Sequence, residues 1–110
     1  MEVIQRKRDG VEVVALKGRL DSGTSGDFEA KLSDMVASGA MRMVLDLREL
    51  DYISSAGLRV FLKAAKELKQ KKGHISLCSA KDYIREVLEM SGFVSFLPLY
   101  GTLDEALKNT

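Results

Sequence analysis

Two adjacent serines, Ser54 and Ser55, are the residues of this chain whose type and setting could carry chemistry. They stand in the segment YISSAGLRV, residues 52–60, after an apolar pair and before a small Ala-Gly step. Helix-forming residues follow at once, so the serines mark a predicted helix start. A serine in that place can be a catalytic nucleophile, a helix cap or an acceptor for a phosphoryl group.

A catalytic serine needs a sharp turn that exposes it and a base beside it. The segment lacks the first glycine of the G-x-S-x-G pattern, because Ile53 stands there. The only histidine is His74, which is predicted at the start of the next strand and is interpreted as an exposed strand-edge residue. About 18 residues of helix would hold it roughly 25 Å from Ser55. A catalytic triad is therefore disfavoured.

The sequence contains neither a recognisable metal site nor a known nucleotide-binding motif. One His and one Cys, without a carboxylate cluster at ligand spacing, predict no metal site, and Cys78 is interpreted as a core residue of its strand. Neither G-x-G-x-x-G nor G-x-x-x-x-G-K-S/T occurs. Gly18, Gly23 and Gly26 precede a helix at other spacings and are interpreted as turn residues. We expect no cofactor.

The overall composition limits the classes of partner. A chain of 110 residues fits one domain, and a net charge of +1 creates no strong field for nucleic acid or an anionic membrane. The basic residues 69–72 are interpreted as a solvated helix end. No apolar run approaches the roughly 20 residues that span a bilayer, and the first residues lack the apolar stretch of a signal peptide. A single Cys is compatible with a reducing compartment, so we expect a cytoplasmic protein.

Hydrophobic periodicity predicts alternating strands and helices after an opening hairpin. The turn Asp9-Gly10 separates residues 2–8 from the Val-rich residues 11–17. The stretch between residue 47 and Ser54 is predicted to be a loop, and Pro98 to mark a strand end or an edge. The remaining strands are predicted at residues 41–47, 74–80 and 94–97, and the helices from the loop 18–26 to about Ala37, from about Ala56 to Gly73, at residues 81–91 and after Thr102.

Several residues are predicted to shape the helices. Asp21, Ser22 or Thr24 could cap the first helix. Gly73 is predicted to end the second, and Thr102 to cap the last. The predicted buried faces are Phe28, Leu32, Met35 and Val36 in the first helix, Leu58, Phe61, Leu62, Ala65 and Leu68 in the second, and Ile84, Val87 and Leu88 in the third.

These elements predict an α/β fold in a single domain, residues 1–110, with the order β-β-α-β-α-β-α-β-α. The alternation predicts a mixed, mainly parallel β-sheet with an N-terminal hairpin and with helices packed on the sheet. The serines would then follow a central strand and open the second helix. One serine suffices for the cap, so the other hydroxyl stays available at a helix N-terminus, where an added phosphate is stabilised.

The segment VLDLRELDYISSAGLRVF, residues 44–61, closely resembles the signature of the STAS domain. Within that family it is similar to the anti-sigma-factor antagonists of bacteria. The resemblance extends over nearly the whole chain, because GRLD at residues 18–21, SSAGL at 54–58 and MSGF at 90–93 agree with the family in order and interval.

The resemblance implies a non-enzymatic protein that works by exchanging partners. The unphosphorylated form of such an antagonist binds a protein that is both an anti-sigma factor and a serine kinase, and binding releases the client. The kinase uses ATP to phosphorylate a serine at the start of the second helix, and a metal-dependent serine phosphatase reverses this. Ser55 corresponds to the modified serine, with Ser54 as the alternative because the family often has Asp in that place.

The resemblance also suggests a contact surface around the serines, and Asp21 corresponds to an acidic residue of the family near the modified serine. The residues predicted to contact the partner are Asp21, Ser22, Thr24, Ser54, Ser55, Ala56, Gly57, Arg59, Lys63 and Lys66. Two alternatives stay open. The first is a STAS accessory or scaffold subunit, for example of a lipid-transport ATPase, with a permanent docking surface. The second is a small-ligand or nucleotide-binding module that uses the loop at Gly23 to Gly26.

Overall fold

A computed structural model describes residues 1–110 and shows a five-stranded sheet with helices on both of its faces. None of the helices combines the length and the apolar composition that a membrane crossing requires. The strands are β1 (Glu2–Arg8), β2 (Val11–Leu20), β3 (Arg42–Ile53), β4 (His74–Cys78) and β5 (Leu99–Tyr100). The helices are α1 (Ser25–Ala37), α2 (Ser55–Gln70), α3 (Asp82–Met90) and α4 (Leu103–Lys108), and Phe93–Ser95 form one 3-10 turn.

The strands lie side by side in chain order. β1 and β2 form an antiparallel hairpin, with Arg8 opposite Val11. Its turn residues Asp9 and Gly10 have φ values of 52° and 80°, the left-handed conformations that a tight two-residue hairpin turn requires. The remaining neighbours, from β2 to β5, pair in parallel. The predicted α/β class, the mixed and mainly parallel sheet and the order of the elements are confirmed.

Successive residues of a strand face opposite sides of the sheet, and two separate hydrophobic clusters follow from this. The larger cluster contains 22 buried residues and joins the sheet to α1, α2 and α3. The smaller cluster, on the other face, consists of Val11, Val44, Cys78 and Ala106 and lies under α4. The helix that carries the serines therefore packs on the larger core.

β2 and β3 are longer than predicted, and this extension carries the chain to the serines. The sequence predicted ends near residues 17 and 47, whereas pairing continues until Leu20 lies opposite Ile53. The register shifts twice after Ala15, and Leu50 and Ile53 remain buried while the polar residues between them are exposed. The predicted loop before Ser54 is therefore wrong, since its polar residues are the solvent-facing positions of a strand.

The last strand also differs from the prediction. Residues 94–97 are not a strand, because Gly92 ends α3 with a φ of 79° and the chain then turns through Phe93–Ser95. The strand is Leu99–Tyr100, which pairs with the end of β4. Pro98 precedes this strand, and its carbonyl accepts a hydrogen bond of 2.8 Å from an N–H of β4. Pairing with β4, rather than local hydrophobicity, determines where the strand lies.

The buried faces of α2 and α3 are rotated relative to the prediction. In α2, Val60 and Ala64 are buried together with part of the predicted stripe, whereas Leu58, Leu62 and Ala65 are only half-buried. In α3, Val87 was predicted to point inward but is exposed. Both differences leave apolar side chains on the surface next to the core.

α2 ends where the backbone of Gly73 packs against the backbone of Met41, and Gly73 is not in the left-handed conformation. The left-handed residue is Lys72, with a φ of 62°. The N–H of Gly73 donates to the carbonyl of Leu68 at 2.7 Å, and a Cβ at Gly73 would lie 2.5 Å from the carbonyl oxygen of Met41. The predicted stop is thus correct in place, and its cause is the lack of room for a side chain.

Two further predictions about the helices are confirmed. The hydroxyl of Thr102 accepts a hydrogen bond of 3.1 Å from the N–H of Glu105 and caps α4. The buried residues of α1 include the four that were predicted, Phe28, Leu32, Met35 and Val36.

Candidate functional site

Ser54 joins the end of β3 to the start of α2 and acts as the cap of that helix. Its backbone N–H donates to the carbonyl of Leu20 at 2.9 Å, which extends the pairing of β2 and β3 by one bond. Its Oγ accepts a hydrogen bond of 3.3 Å from the N–H of Gly57, and its backbone is extended, as an N-cap requires. The Ser54 hydroxyl is therefore engaged within the chain.

Ser55 differs from its neighbour in every one of these respects. It is the first residue of α2, it is exposed, and its hydroxyl forms no hydrogen bond in the structure. The N–H groups of Ser55 and of the half-buried Ala56 also lack backbone partners, as expected for a first helical turn. The result is a free hydroxyl at the positive end of a 16-residue helix.

Gly57 fixes this helix end against the sheet. A Cβ at Gly57 would lie 2.7 Å from Cγ of Leu20 and 3.0 Å from Cγ1 of Ile53. Only a residue without a side chain allows α2 to start so close to the ends of β2 and β3. Gly57 is buried, so its predicted part in a partner contact is not supported, and its role is to place the serines.

The loop that contains Asp21 lies beside the same strand ends and is held by its own side chains. Oδ1 of Asp21 accepts hydrogen bonds from the N–H groups of Gly23 at 3.0 Å and Thr24 at 3.2 Å. The hydroxyl of Thr24 donates to the carbonyl of Arg19 at 2.9 Å, so Thr24 does not cap α1 with its side chain. Among the three candidate caps, Asp21 holds the turn before the helix, while Ser22 is exposed.

These hydrogen bonds bear on the alternative that the glycine loop binds a nucleotide. A phosphate would need free N–H groups, but those of Gly23 and Thr24 are already paired with the Asp21 carboxylate. The carboxylate would also repel an anion. The loop therefore leaves neither of these N–H groups free for a phosphate.

Arg19 and Tyr52 support this loop, and no motif in the sequence pointed to either residue. The guanidinium carbon of Arg19 lies 4.2 Å from the ring centroid of Tyr52, and its Nε lies 3.9 Å from the Asp21 carboxylate. The two residues lie opposite each other in the β2–β3 register. They fall in segments that were predicted as loops, so no pattern could have paired them.

The three predicted cations of α2 line an open groove of about 490 Å³ between the start of α1 and α2. Lys63 donates to Oε2 of Glu29 at 2.9 Å, and this hydrogen bond raises the pKa of Lys63 above its ordinary value. Arg59 and Lys66 form no ion pair in the structure. The groove therefore has two cations without an ion-pair partner, Arg59 and Lys66, and a third, Lys63, whose positive charge is paired with the Glu29 carboxylate.

Taken together, the predicted contact residues lie at one end of the sheet and along one side of α2, and all except Gly57 are at least partly exposed. A larger open groove, of about 570 Å³, lies between β1 and the C-terminal end of α1 and contains none of them. Groove size therefore does not mark the site that the sequence motifs indicate.

The remaining reactive residues lie apart from the serines. His74 is half-buried rather than exposed, and its Nε2 is buried without a hydrogen-bond partner. Because α2 spans 16 residues between Ser55 and Gln70, His74 lies roughly 25 Å away along the helix. Burial raises the pKa of the Cys78 thiol to about 11. No cluster of three or more His, Cys, Asp or Glu side chains could hold a metal ion.

Comparison with known proteins reveals a consistent set of relatives. A family model of the STAS domain matches residues 2–106. A Bordetella bronchiseptica protein named as an anti-sigma factor antagonist, BtrV, is 44% identical over 106 residues, which are 96% of this chain and 91% of that protein.

Solved structures of the same fold extend the comparison. An anti-sigma factor antagonist from Mycobacterium paratuberculosis is similar with a TM-score of 0.87 and 27% identity, over 98% of this chain and 92% of that one. Bacillus SpoIIAA in its phosphorylated form shares the fold with a TM-score of 0.76 at 22% identity, over 98% of each chain.

Proposed function

This chain belongs to the STAS domain family, among the anti-sigma factor antagonists, and from that premise we propose that it binds an anti-sigma factor and is switched at Ser55. Proteins of this group are generally not enzymes. In the proposed cycle the anti-sigma factor is also a serine kinase that phosphorylates Ser55 with ATP. A metal-dependent serine phosphatase restores the free hydroxyl. The domain would span residues 1–110 and act in the cytoplasm, where ATP is available.

The proposal rests on the different hydrogen bonding of the two serine hydroxyls. The Ser54 hydroxyl caps α2, whereas the Ser55 hydroxyl is exposed and unbonded. A phosphoryl group on Ser55 would bring about −1.5 to −2 charges to the positive end of α2. The free N–H groups of the first turn favour that charge. SpoIIAA, which shares this fold, has been solved in a phosphorylated form, which supports the expectation that the fold tolerates the modification.

The same charge would weaken the complex with the partner. The proposed contact surface surrounds Ser55 with the Asp21 loop on one side and the cations of α2 on the other, and it comprises Asp21, Ser22, Thr24, Ser54, Ser55, Ala56, Arg59, Lys63 and Lys66. A phosphate at its centre would have to lose water on binding without gaining a partner, which costs several kcal/mol. Since about 1.4 kcal/mol is a tenfold change in affinity, one modification suffices to release the partner.

Titration of two Ser55 variants against the purified anti-sigma factor tests this proposal. We expect Ser55→Ala to bind like the unphosphorylated chain and Ser55→Asp to bind about 100-fold more weakly. Ser38→Asp is the matched control, because it adds the same charge at an exposed site at the end of α1. Equal affinities of Ser55→Ala and Ser55→Asp would show that this position does not control binding.

A further inference from the structure

A third groove lies along the C-terminal half of α2, toward the opposite end of the helix from Ser55. It has a volume of about 430 Å³ and is named here the Phe96 groove. One wall is formed by Leu62 and Ala65 of α2, the other by Phe96, and His74 lies between them at the start of β4. Its lining contains Lys66 and Lys69 but no Asp or Glu.

The apolar walls of the Phe96 groove follow from the two departures from the predicted fold. The buried face of α2 is rotated toward Val60 and Ala64, so Leu62 and Ala65 remain half-exposed. The segment after α3 forms a 3-10 turn instead of a strand, and this leaves the Phe96 side chain 67% exposed. Apolar side chains from two separate elements thus face a shared groove that the chain itself does not fill.

The polar groups of the groove are also without partners. Lys66 and Lys69 are exposed and form no ion pair, although Lys63 one turn away is paired with Glu29. Nε2 of His74 is the one buried side-chain nitrogen or oxygen of the molecule that lacks a hydrogen bond. Buried polar atoms are normally paired in folded proteins. The groove is therefore lined by unpaired cations and by a histidine whose buried Nε2 has no hydrogen-bond partner.

We propose that the Phe96 groove docks an acidic amphipathic segment of a partner protein. The apolar residues of such a segment would cover Leu62, Ala65 and Phe96, and its carboxylates would pair with Lys66 and Lys69. A second copy docked through the same groove would place lysines against lysines, which is unfavourable. An anionic membrane suits a protruding basic surface better than a concave groove. The inference does not depend on Ser55, and among the residues that it uses only Lys66 also belongs to the contact surface proposed for the anti-sigma factor.

Two synthetic amphipathic peptides of about four helical turns test the proposal. They share the same leucine positions, and their polar faces carry either glutamate or lysine. We expect the glutamate peptide to shift the backbone NMR resonances of Leu62, Ala65, Lys69 and Phe96 in the labelled chain, and its binding to weaken as salt is added. The lysine peptide is expected to cause no such shifts.

Variants of exposed residues separate this surface from others. We expect Lys66→Glu/Lys69→Glu and Phe96→Ser each to lower the affinity of the glutamate peptide at least about tenfold, whereas Lys31→Glu/Lys108→Glu, on other helices, leaves it unchanged. Ser55→Asp should bind the peptide as the natural sequence does. The proposal is overturned if neither peptide binds, if both bind equally, or if the shifts map elsewhere. Shifts at the groove on concentrating the chain alone, or preferential binding to phosphatidylserine vesicles, would also overturn it.

Discussion

The two ends of α2 are held to the sheet by different means, and they leave different groups free. At its start, the Ser54 cap and the close approach of Gly57 to Leu20 and Ile53 fasten the helix. At its end, Gly73 lies against the carbonyl of Met41 and no room remains for a side chain. The start presents one free hydroxyl in a polar setting, whereas the end borders an open apolar groove.

This difference shows how one helix can present a modifiable hydroxyl at its start and an apolar surface toward its end. A start that is fixed by backbone and cap hydrogen bonds can accept a charge without moving, because the bonds that hold it do not involve Ser55. The other end offers an apolar surface, and apolar contacts are non-directional and adapt to the shape of a partner. Substitutions at each end can therefore test whether the anchors, and not the free groups, hold the helix.

The largest effect on stability is expected from Gly73→Ala. The new Cβ would meet the backbone oxygen of Met41 at 2.5 Å, and a backbone atom directly before β3 cannot move aside as a side chain can. We expect a loss of about 3 kcal/mol in the free energy of unfolding, measured by urea denaturation. A loss below about 1 kcal/mol would mean that the end of α2 is not anchored by this contact.

A smaller loss is expected from Gly57→Ala. The clash there is with the side chains of Leu20 and Ile53, and alanine recovers up to about 1 kcal/mol through its higher helix propensity. We expect a net loss of about 1 to 2 kcal/mol by the same denaturation experiment. Gly26→Ala is the control, since a Cβ there has nothing within 4 Å, and it should be neutral or slightly stabilising. Equal stability of both variants would contradict the anchoring role of Gly57.

The smallest expected changes in stability come from replacing each of the two serines with alanine, and the two replacements should differ. Ser54→Ala removes the hydroxyl that accepts the Gly57 N–H and should cost about 1 kcal/mol. Ser55→Ala removes a hydroxyl without a partner and should stay within about 0.5 kcal/mol of the natural sequence. Thermal unfolding of both variants under one condition measures the difference. If Ser55→Ala were the more destabilised of the two, the assignment of the cap would be reversed.

The sequence was a good guide to the order of the elements and a poorer guide to their ends. The apolar residues in 11–17 and 41–47 predicted strands. The prediction succeeded because these apolar side chains are buried on both faces of the sheet, so the pattern reflects the strand directly. The continuation to Leu20 and Ile53 depends on pairing between the two strands and on shifts of register, which no local pattern contains. The false strand at residues 94–97 has the opposite cause, since local hydrophobicity was present without a neighbour to pair with.

The candidate site was predictable in its motif but not in its geometry. Two serines before a helix predicted a cap and a free hydroxyl, but only the hydrogen bond from Gly57 to Ser54 shows which serine caps. The motif also included Gly57 without indicating that its role is packing, because the close contact with Leu20 joins residues far apart in the chain. Long-range contacts of this kind also explain why Arg19 and Tyr52 were missed.

Locating the phosphoryl group by mass spectrometry, after incubation of the chain and ATP with the anti-sigma factor kinase proposed as its partner, tests the central claim most directly. We expect one phosphoryl group, on Ser55, in the natural sequence and also in Ser54→Ala, and none in Ser55→Ala. Modification of Ser54 instead, or of a residue outside the start of α2, would contradict the assignment of the switch to the free hydroxyl.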